Sequence, residues 1–308
     1  MTLFSLIIAL LLEQLRPLPV DRVVFAPLRA LSRSLTQRFN DGQAVHGRLA
    51  WALVVALGTL LAALVYYMLW ELHPVFAFAF NIVMLYLTMG FRHESHFFTD
   101  IHLALRMGEI ERARTLLGEW RGGQYHASSS SEVARLAIEQ ALVAAHRNVF
   151  AVAFWFVILP GPSGAVMYRL ARFFADDWGR RPETEFGEFG RFARRAFEVV
   201  DYVPVRITAA SFSVVGDFED ALYCWRTQAV LWPDRSSAIL LASGGGALGV
   251  RLGMPIHESG EIVDRPEMGQ GDDADADHMQ STVGLVWRAL LVCLFLLALL
   301  GLAGWVGG

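Results

Sequence analysis

The sequence predicts an all-α, polytopic integral membrane protein with four to five membrane segments, one or more of them broken or re-entrant. Three observations predict it. The chain is 55% hydrophobic and 18% charged, with a mean hydropathy of +0.41, where an ordinary soluble domain carries about 25% charged residues. Its apolar runs extend from end to end, and a run of about 20 residues suffices to cross a hydrocarbon core. Finally, Asn148 to Tyr168 is uncharged but interrupted by Pro160-Gly161-Pro162-Ser163-Gly164. Two prolines and two glycines remove helical hydrogen bonds, which membrane proteins tolerate only where the backbone packs in protein or lines a polar cavity. This segment therefore points to a site rather than to a plain anchor.

In chain order, Thr2 to Leu12 is apolar and short, and is read as a retained first membrane segment; it lacks the basic start and small-residue cleavage site of a signal peptide. Arg16 to Arg48 holds six arginines and two aspartates, with Pro17, Pro19 and Pro27, and the positive-inside rule makes it cytoplasmic. Leu49 to Trp70 and Val75 to Phe91 form a transmembrane hairpin, because Pro74 cannot continue the first helix. Tyr66 and Trp70 suit an interfacial belt at its turn.

Two passes return the chain to its starting side, so 91–147 is expected as a cytoplasmic helical region. Within it, Met107 to Leu117 has surface-helix spacing, and Ser129 with Glu132 has capping-box spacing ahead of a helix that runs into the broken segment. Arg172 to Glu198, with Pro182, balances six bases and six acids as a solvated connection. Ser236 to Val250 contains Gly244-Gly245-Gly246 and suits a tightly packed or re-entrant element. Residues 251–282, with eight acids against one arginine from Glu258 to Asp277, read as an acidic linker before a last span at 289–306. The whole, 1–308, is taken as a single membrane domain. Re-entry of the broken segment is preferred over full crossing, which would place the six arginines between Arg172 and Arg195 outside.

All 26 basic residues are arginine. The absence of lysine excludes a complete Walker A loop, Schiff-base chemistry and a lysine nucleophile. Two cysteines, Cys224 and Cys293, offer neither a disulfide framework nor a cysteine metal site. His93-Glu94-Ser95-His96 puts His93 and His96 on one helix face, but the spacing is not that of a zinc protease, and interfacial anchoring is the commoner use. Gly244 to Gly253 has the look of a phosphate cradle with Arg251, against which close helix packing weighs more. Asp201 and Arg206, flanking Pro204, are either a structural pair or part of an anion-binding cavity.

Taken in order, these segments resemble the adenosylcobinamide-phosphate synthase (CobD/CbiB) family of cobalamin biosynthesis, which also contains the AmpE inner-membrane proteins linked to β-lactamase induction. The resemblance rests on Ala113-Arg114-x-Leu116-Leu117, Phe154-Trp155, Gly161-Pro162-x-Gly164-Ala165 with Tyr168-Arg169, and Phe189-Gly190. It extends to Pro204-Val205-Arg206-Ile207-Thr208, Gly246 to Gly253, and Gly260 to Gly269. It implies a fold in the bacterial inner membrane and an ATP-dependent, magnesium-requiring amide ligase joining an aminopropanol group to adenosylcobyric acid. The family's Glu-Asn-Thr-Ser-Asp-Gly falls on Val143 to Asn148, so the expected acids are Val143 and Arg147. After Tyr-Arg stand Arg172 and Ala175, and before the proline motif stand Phe197, Glu198 and Asp201.

Arginine in place of a metal-binding carboxylate repels Mg²⁺. The leading expectation is therefore a non-catalytic, AmpE-like regulatory or ligand-sensing protein, with no resident cofactor, that binds an anionic small molecule through Arg147, Arg169, Arg195, Asp201, Arg206 and Arg251. The alternative is a working synthase using Mg and ATP, with Glu139, Glu198 and Asp201 in a rearranged site; the remaining metal candidates are His93 and His96. A membrane scaffold is the third reading. Membrane lipid and a second copy of the chain are the expected macromolecular partners, and nucleic acid is not.

Overall fold

The computed structural model describes residues 1–15, 21–40, 44–179, 181 and 189–306. Pro17, Pro19 and Pro182, expected in loops, lie outside the described residues. The helices are α1 (Thr2–Leu15), α2 (Ala26–Phe39), α3 (Ala44–Leu72), α4 (Pro74–Thr88), α5 (Phe91–Arg106), α6 (Ile110–Arg121) and α7 (Ser130–Ala145). They continue with α8 (Ala151–Ile158), α9 (Ser163–Gly179), α10 (Phe189–Val215), α11 (Phe218–Gln228), α12 (Arg235–Leu248) and α13 (Ala276–Val306). Five short strands, β1 (Val250–Gly253), β2 (Ile256–Glu258), β3 (Glu261–Val263), β4 (Glu267–Met268) and β5 (Asp272–Asp273), precede α13.

The protein is an all-α, multi-pass membrane protein. Among the described residues, three helical stretches are long and apolar enough to span a bilayer: Val45–Leu72, Ser130–Ile158 and Ala276–Gly304. A bent pair, Pro74–Thr88 with Phe91–Arg106, turns through 41° and makes a fourth if counted as one span. α1, at 14 residues, falls short of that length.

The chain divides into two compact units, Met1–Gly90 with Ala151–Pro204, and Phe91–Phe150 with Val205–Gly308. In the first unit, α3 and α4 form the expected hairpin. His73 caps α4 by accepting a hydrogen bond from the Val75 backbone N–H at 3.2 Å, and Pro74 occupies the first turn, where a missing N–H costs nothing. The core beside it joins Leu35, Val54, Phe174, Trp178 and Phe189 from α2, α3, α9 and α10.

The broken segment takes a form the apolar run alone does not reveal. α7 continues through a π-helical turn, His146–Phe150, into α8, so the span is Ser130–Ile158 and the proline break stands at its end, not at its centre. The Ser163 hydroxyl donates to the Pro160 carbonyl at 2.7 Å and starts α9. Gly161 sits at φ +59° against the Tyr66 ring, which puts the irregular backbone beside the aromatic residues expected at the membrane interface.

In the second unit α7 starts at Ser129, whose hydroxyl accepts the Glu132 backbone N–H at 3.1 Å, as the capping-box spacing predicts. α12 is buried along Ala238 to Ala247 and serves as a core helix. Its three glycines admit neighbours closely: a Cβ on Gly246 would lie 2.6 Å from the Asp220 carbonyl oxygen, and one on Gly244 2.7 Å from Leu142. Packing, not a phosphate cradle, is their use.

Residues 251–282, expected as a linker, are ordered by pairing. β1 lies between β4 (antiparallel, Leu252 opposite Met268) and β5 (parallel, Val250 opposite Asp272), and β2 pairs with β3. α13 begins at Ala276, earlier than 289, because Asp275 caps it by accepting the His278 backbone N–H at 2.8 Å. Burial raises the Asp275 pKa, but the hydrogen bonds and charge of His278 outweigh it and leave the carboxyl below its usual value.

Candidate functional site

The stretch Val143 to Asn148 runs into the π-helical turn His146–Phe150. Such a turn adds a residue to the helix and redirects the side chains that follow, a distortion often found at functional sites. Here it buries His146, whose Nδ1 lies 2.9 Å from the Thr208 hydroxyl on α10. Phe150 meets Phe212 edge-on at 5.8 Å. Two motifs more than 50 residues apart, Val143 to Asn148 and Pro204 to Thr208, are thus joined through one buried contact.

Arg147 is in the same turn and forms an ion pair with Asp234 at 3.4 Å. Asp234 is also the N-cap of α12, accepting from the backbone N–H of Ser236. Arg147 is therefore held against a carboxylate that also caps a helix. Arg206 is half-buried on α10, two residues before Thr208.

In the first unit, Asp201 is fully buried and accepts a hydrogen bond from the Tyr168 hydroxyl at 2.9 Å, with Phe197 tilted against the same tyrosine. Trp155 Nε1 donates to the Val200 carbonyl at 3.2 Å. The Phe-Trp, Tyr-Arg and α10 motifs thus converge. Arg169 is buried, with its guanidinium 4.8 Å from the centroid of Phe25, and borders a cleft of about 330 Å³ lined by Arg29, Arg172, Asp176 and Asp177. Arg195 belongs to another cleft, with Arg48 and Arg191.

The remaining candidates are placed otherwise. Arg251 pairs with Asp273 at 2.8 Å across β1 and β5. Glu139 is buried and receives both guanidinium arms of Arg265, at 2.9 and 3.1 Å, together with the Gly253 backbone N–H at 2.9 Å. A carboxylate held in this way already has its charge neutralised. Glu198 is exposed and pairs loosely with Arg194 at 3.9 Å, so it does not join buried Asp201. His93 stacks edge-on against Phe97, and His96 Nε2 accepts from Arg92 Nε at 3.2 Å.

Among the described residues no three His, Cys, Asp or Glu side chains are grouped to hold a metal ion. The donor set does not fit a resident magnesium cage. His146 and Thr208 are the members that a residue-by-residue reading misses; both stand inside quoted motifs, and their meeting is a tertiary event. Glu132 and Arg265 also escaped that reading, although Arg265 is the lone arginine of the acidic stretch.

Comparison with known proteins bears on these loci. The family model described as CobD/Cbib protein matches residues 4–286. A cobalamin biosynthesis protein CobD of Stutzerimonas stutzeri is 35% identical over 306 residues, covering 98% of each chain. A protein of the same name from Chromobacterium violaceum is 33% identical over 248 residues, 80% of this chain and 77% of its own. The cobalamin biosynthesis protein CbiB of Salmonella typhimurium is 25% identical over 296 residues, 90% of this chain and 92% of its own. No solved structure matches. These relatives overturn the leading expectation of a non-catalytic, AmpE-like regulator, since proteins similar over nearly the full length carry cobalamin-biosynthesis names. The expectation had rested on Val143, Arg147, Arg172, Ala175 and Phe197 standing where the resemblance implies other residues.

Proposed function

The chain belongs to the CobD/CbiB family, and from that premise we propose that it works in cobalamin biosynthesis as an ATP-dependent amide ligase. In this reading it joins aminopropanol phosphate to adenosylcobyric acid at the bacterial inner membrane. The observation that carries the reading is 35% identity to a CobD protein over 98% of both chains.

A carboxylate does not condense with an amine at neutral pH, because its oxygen is a poor leaving group; ATP activates the carboxyl and departs as ADP and phosphate. Both ATP and aminopropanol phosphate are polyanions. The chain has no lysine, so arginine is the cationic side chain assigned to the phosphates, which suits its planar, bidentate donors. Arg147 and Arg206, flanking the His146–Thr208 contact, are assigned to this work in the second unit. Arg169 and Arg172 are assigned to it in the first. Magnesium enters with ATP, as part of the substrate.

Complementation of a strain lacking the synthase, grown where cobalamin is required, tests the proposal. Growth is expected with this chain, and Arg147→Ala should slow it at unchanged membrane abundance. No growth with normally inserted protein, together with no amide product from the purified protein given ATP and both substrates, would sink the reading.

A further inference from the structure

We propose that the cleft formed by the start of α3 and the first half of α10 binds the phosphate headgroup of an anionic membrane phospholipid. The cleft measures about 630 Å³, and Arg48, Trp51, Arg191, Phe192, Arg195 and Val199 form most of its lining. No carboxylate is among its described lining residues. Arg48 and Arg195 have no ion-pair or hydrogen-bond partner among the described residues, whereas Arg191 has an interaction of its own. The Trp51 indole N–H is buried at the wall without an acceptor among the described residues, and its ring meets Phe192 edge-on at 5.6 Å. Unspent cationic charge beside an orphaned donor suits a phosphate oxygen.

The surroundings favour a lipid over a soluble anion. Arg48 and Trp51 stand at the start of the Val45–Leu72 span, where arginine and tryptophan belong at a membrane interface. Below them Leu49, Leu53, Leu57, Leu60 and Leu64 are exposed at helical spacing on one face of α3. On α10, Val199 is 75% exposed and Val203 48%. An acyl chain can follow these surfaces while its phosphate stays with the arginines; a free phosphate makes no use of them.

The test uses the full chain in detergent, with lipid binding followed by native mass spectrometry. Phosphatidylglycerol should be retained over phosphatidylcholine, and Arg48→Gln with Arg195→Gln should each weaken retention about fivefold. Arg48→Lys with Arg195→Lys should keep most of it. Millimolar inorganic phosphate or ATP should leave the lipid in place. Equal retention of the two lipids by the wild-type chain overturns the proposal without any variant. So does unchanged retention in a folded double glutamine variant, and displacement by phosphate or ATP would assign the cleft to a soluble anion instead.

Discussion

Glu139 shows how a single charge is made safe inside this protein. Its carboxylate meets Arg265 through two hydrogen bonds and the Gly253 N–H through a third. Removing one partner leaves the other charged and buried, at a cost of about 3–5 kcal/mol. Glu139→Ala should therefore lower the thermal midpoint in detergent far more than Glu198→Ala, whose carboxylate is exposed; equal shifts would show that the pair is dispensable. Adding Arg265→Met to Glu139→Ala should restore part of the loss, because the guanidinium held most closely by Glu139 is then gone too. Cys224 gives a second test. Burial, with help from Asp220, pushes its thiol up to about 11, and the thiol form does not react as a nucleophile. In a Cys293→Ser background, maleimide at pH 8 should label the protein slowly when native and quickly when denatured. Fast native labelling would contradict the buried placement.

At the scale of elements, the break between α8 and α9 was visible in the sequence, but its position was not. Pro160 to Gly164 announces itself by composition. The span before it is disguised, because Glu132, Arg135 and Glu139 make α7 look like a surface helix. Only their partners, the 257 backbone with its ring, the Pro255 carbonyl and Arg265, show how a charged start can continue into an apolar span. The turn itself depends on Gly161. Any side chain there pays for a left-handed φ, about 1–2 kcal/mol, and also meets the Tyr66 ring. Gly161→Ala should lower stability; Gly161→Ala with Tyr66→Ala should recover the steric part and keep the conformational one. Full recovery would mean that φ at 161 is unconstrained.

For the whole molecule, the membrane class, the α3–α4 hairpin and the capped start of α7 were legible because they depend on local chemistry: hydropathy, Pro74, Ser129. The strands of 250–273 were not. They are two to four residues long, four of the five carry acids, and β1 and β2 are tied to α7 residues more than 100 positions away. The site was half legible. Motif order identified the family, whereas the Arg147–Asp234 pair and the His146–Thr208 contact exist only in three dimensions.

The partners of α7 also have a consequence for biosynthesis. Glu132, Arg135 and Glu139 are satisfied by residues 253–265, which leave the ribosome more than 100 residues after α7 does. While the chain is being made, the start of Ser130–Ile158 therefore carries three ionisable groups without the hydrogen bonds that residues 253–265 supply, with only Arg121 at 3.8 Å from Glu139 and the charges of the helix itself to offset them, and ionisable groups at the edge of a hydrocarbon phase are costly. Nascent chains stopped before residue 253 should expose this segment to alkaline extraction from membranes and to proteolysis, and chains extended past residue 268 should resist both. Equal resistance at the two lengths would show that the helix settles in the membrane unaided. In that sense the acidic stretch near the end of the chain is a late fastener, and the order of synthesis is part of how this fold is reached.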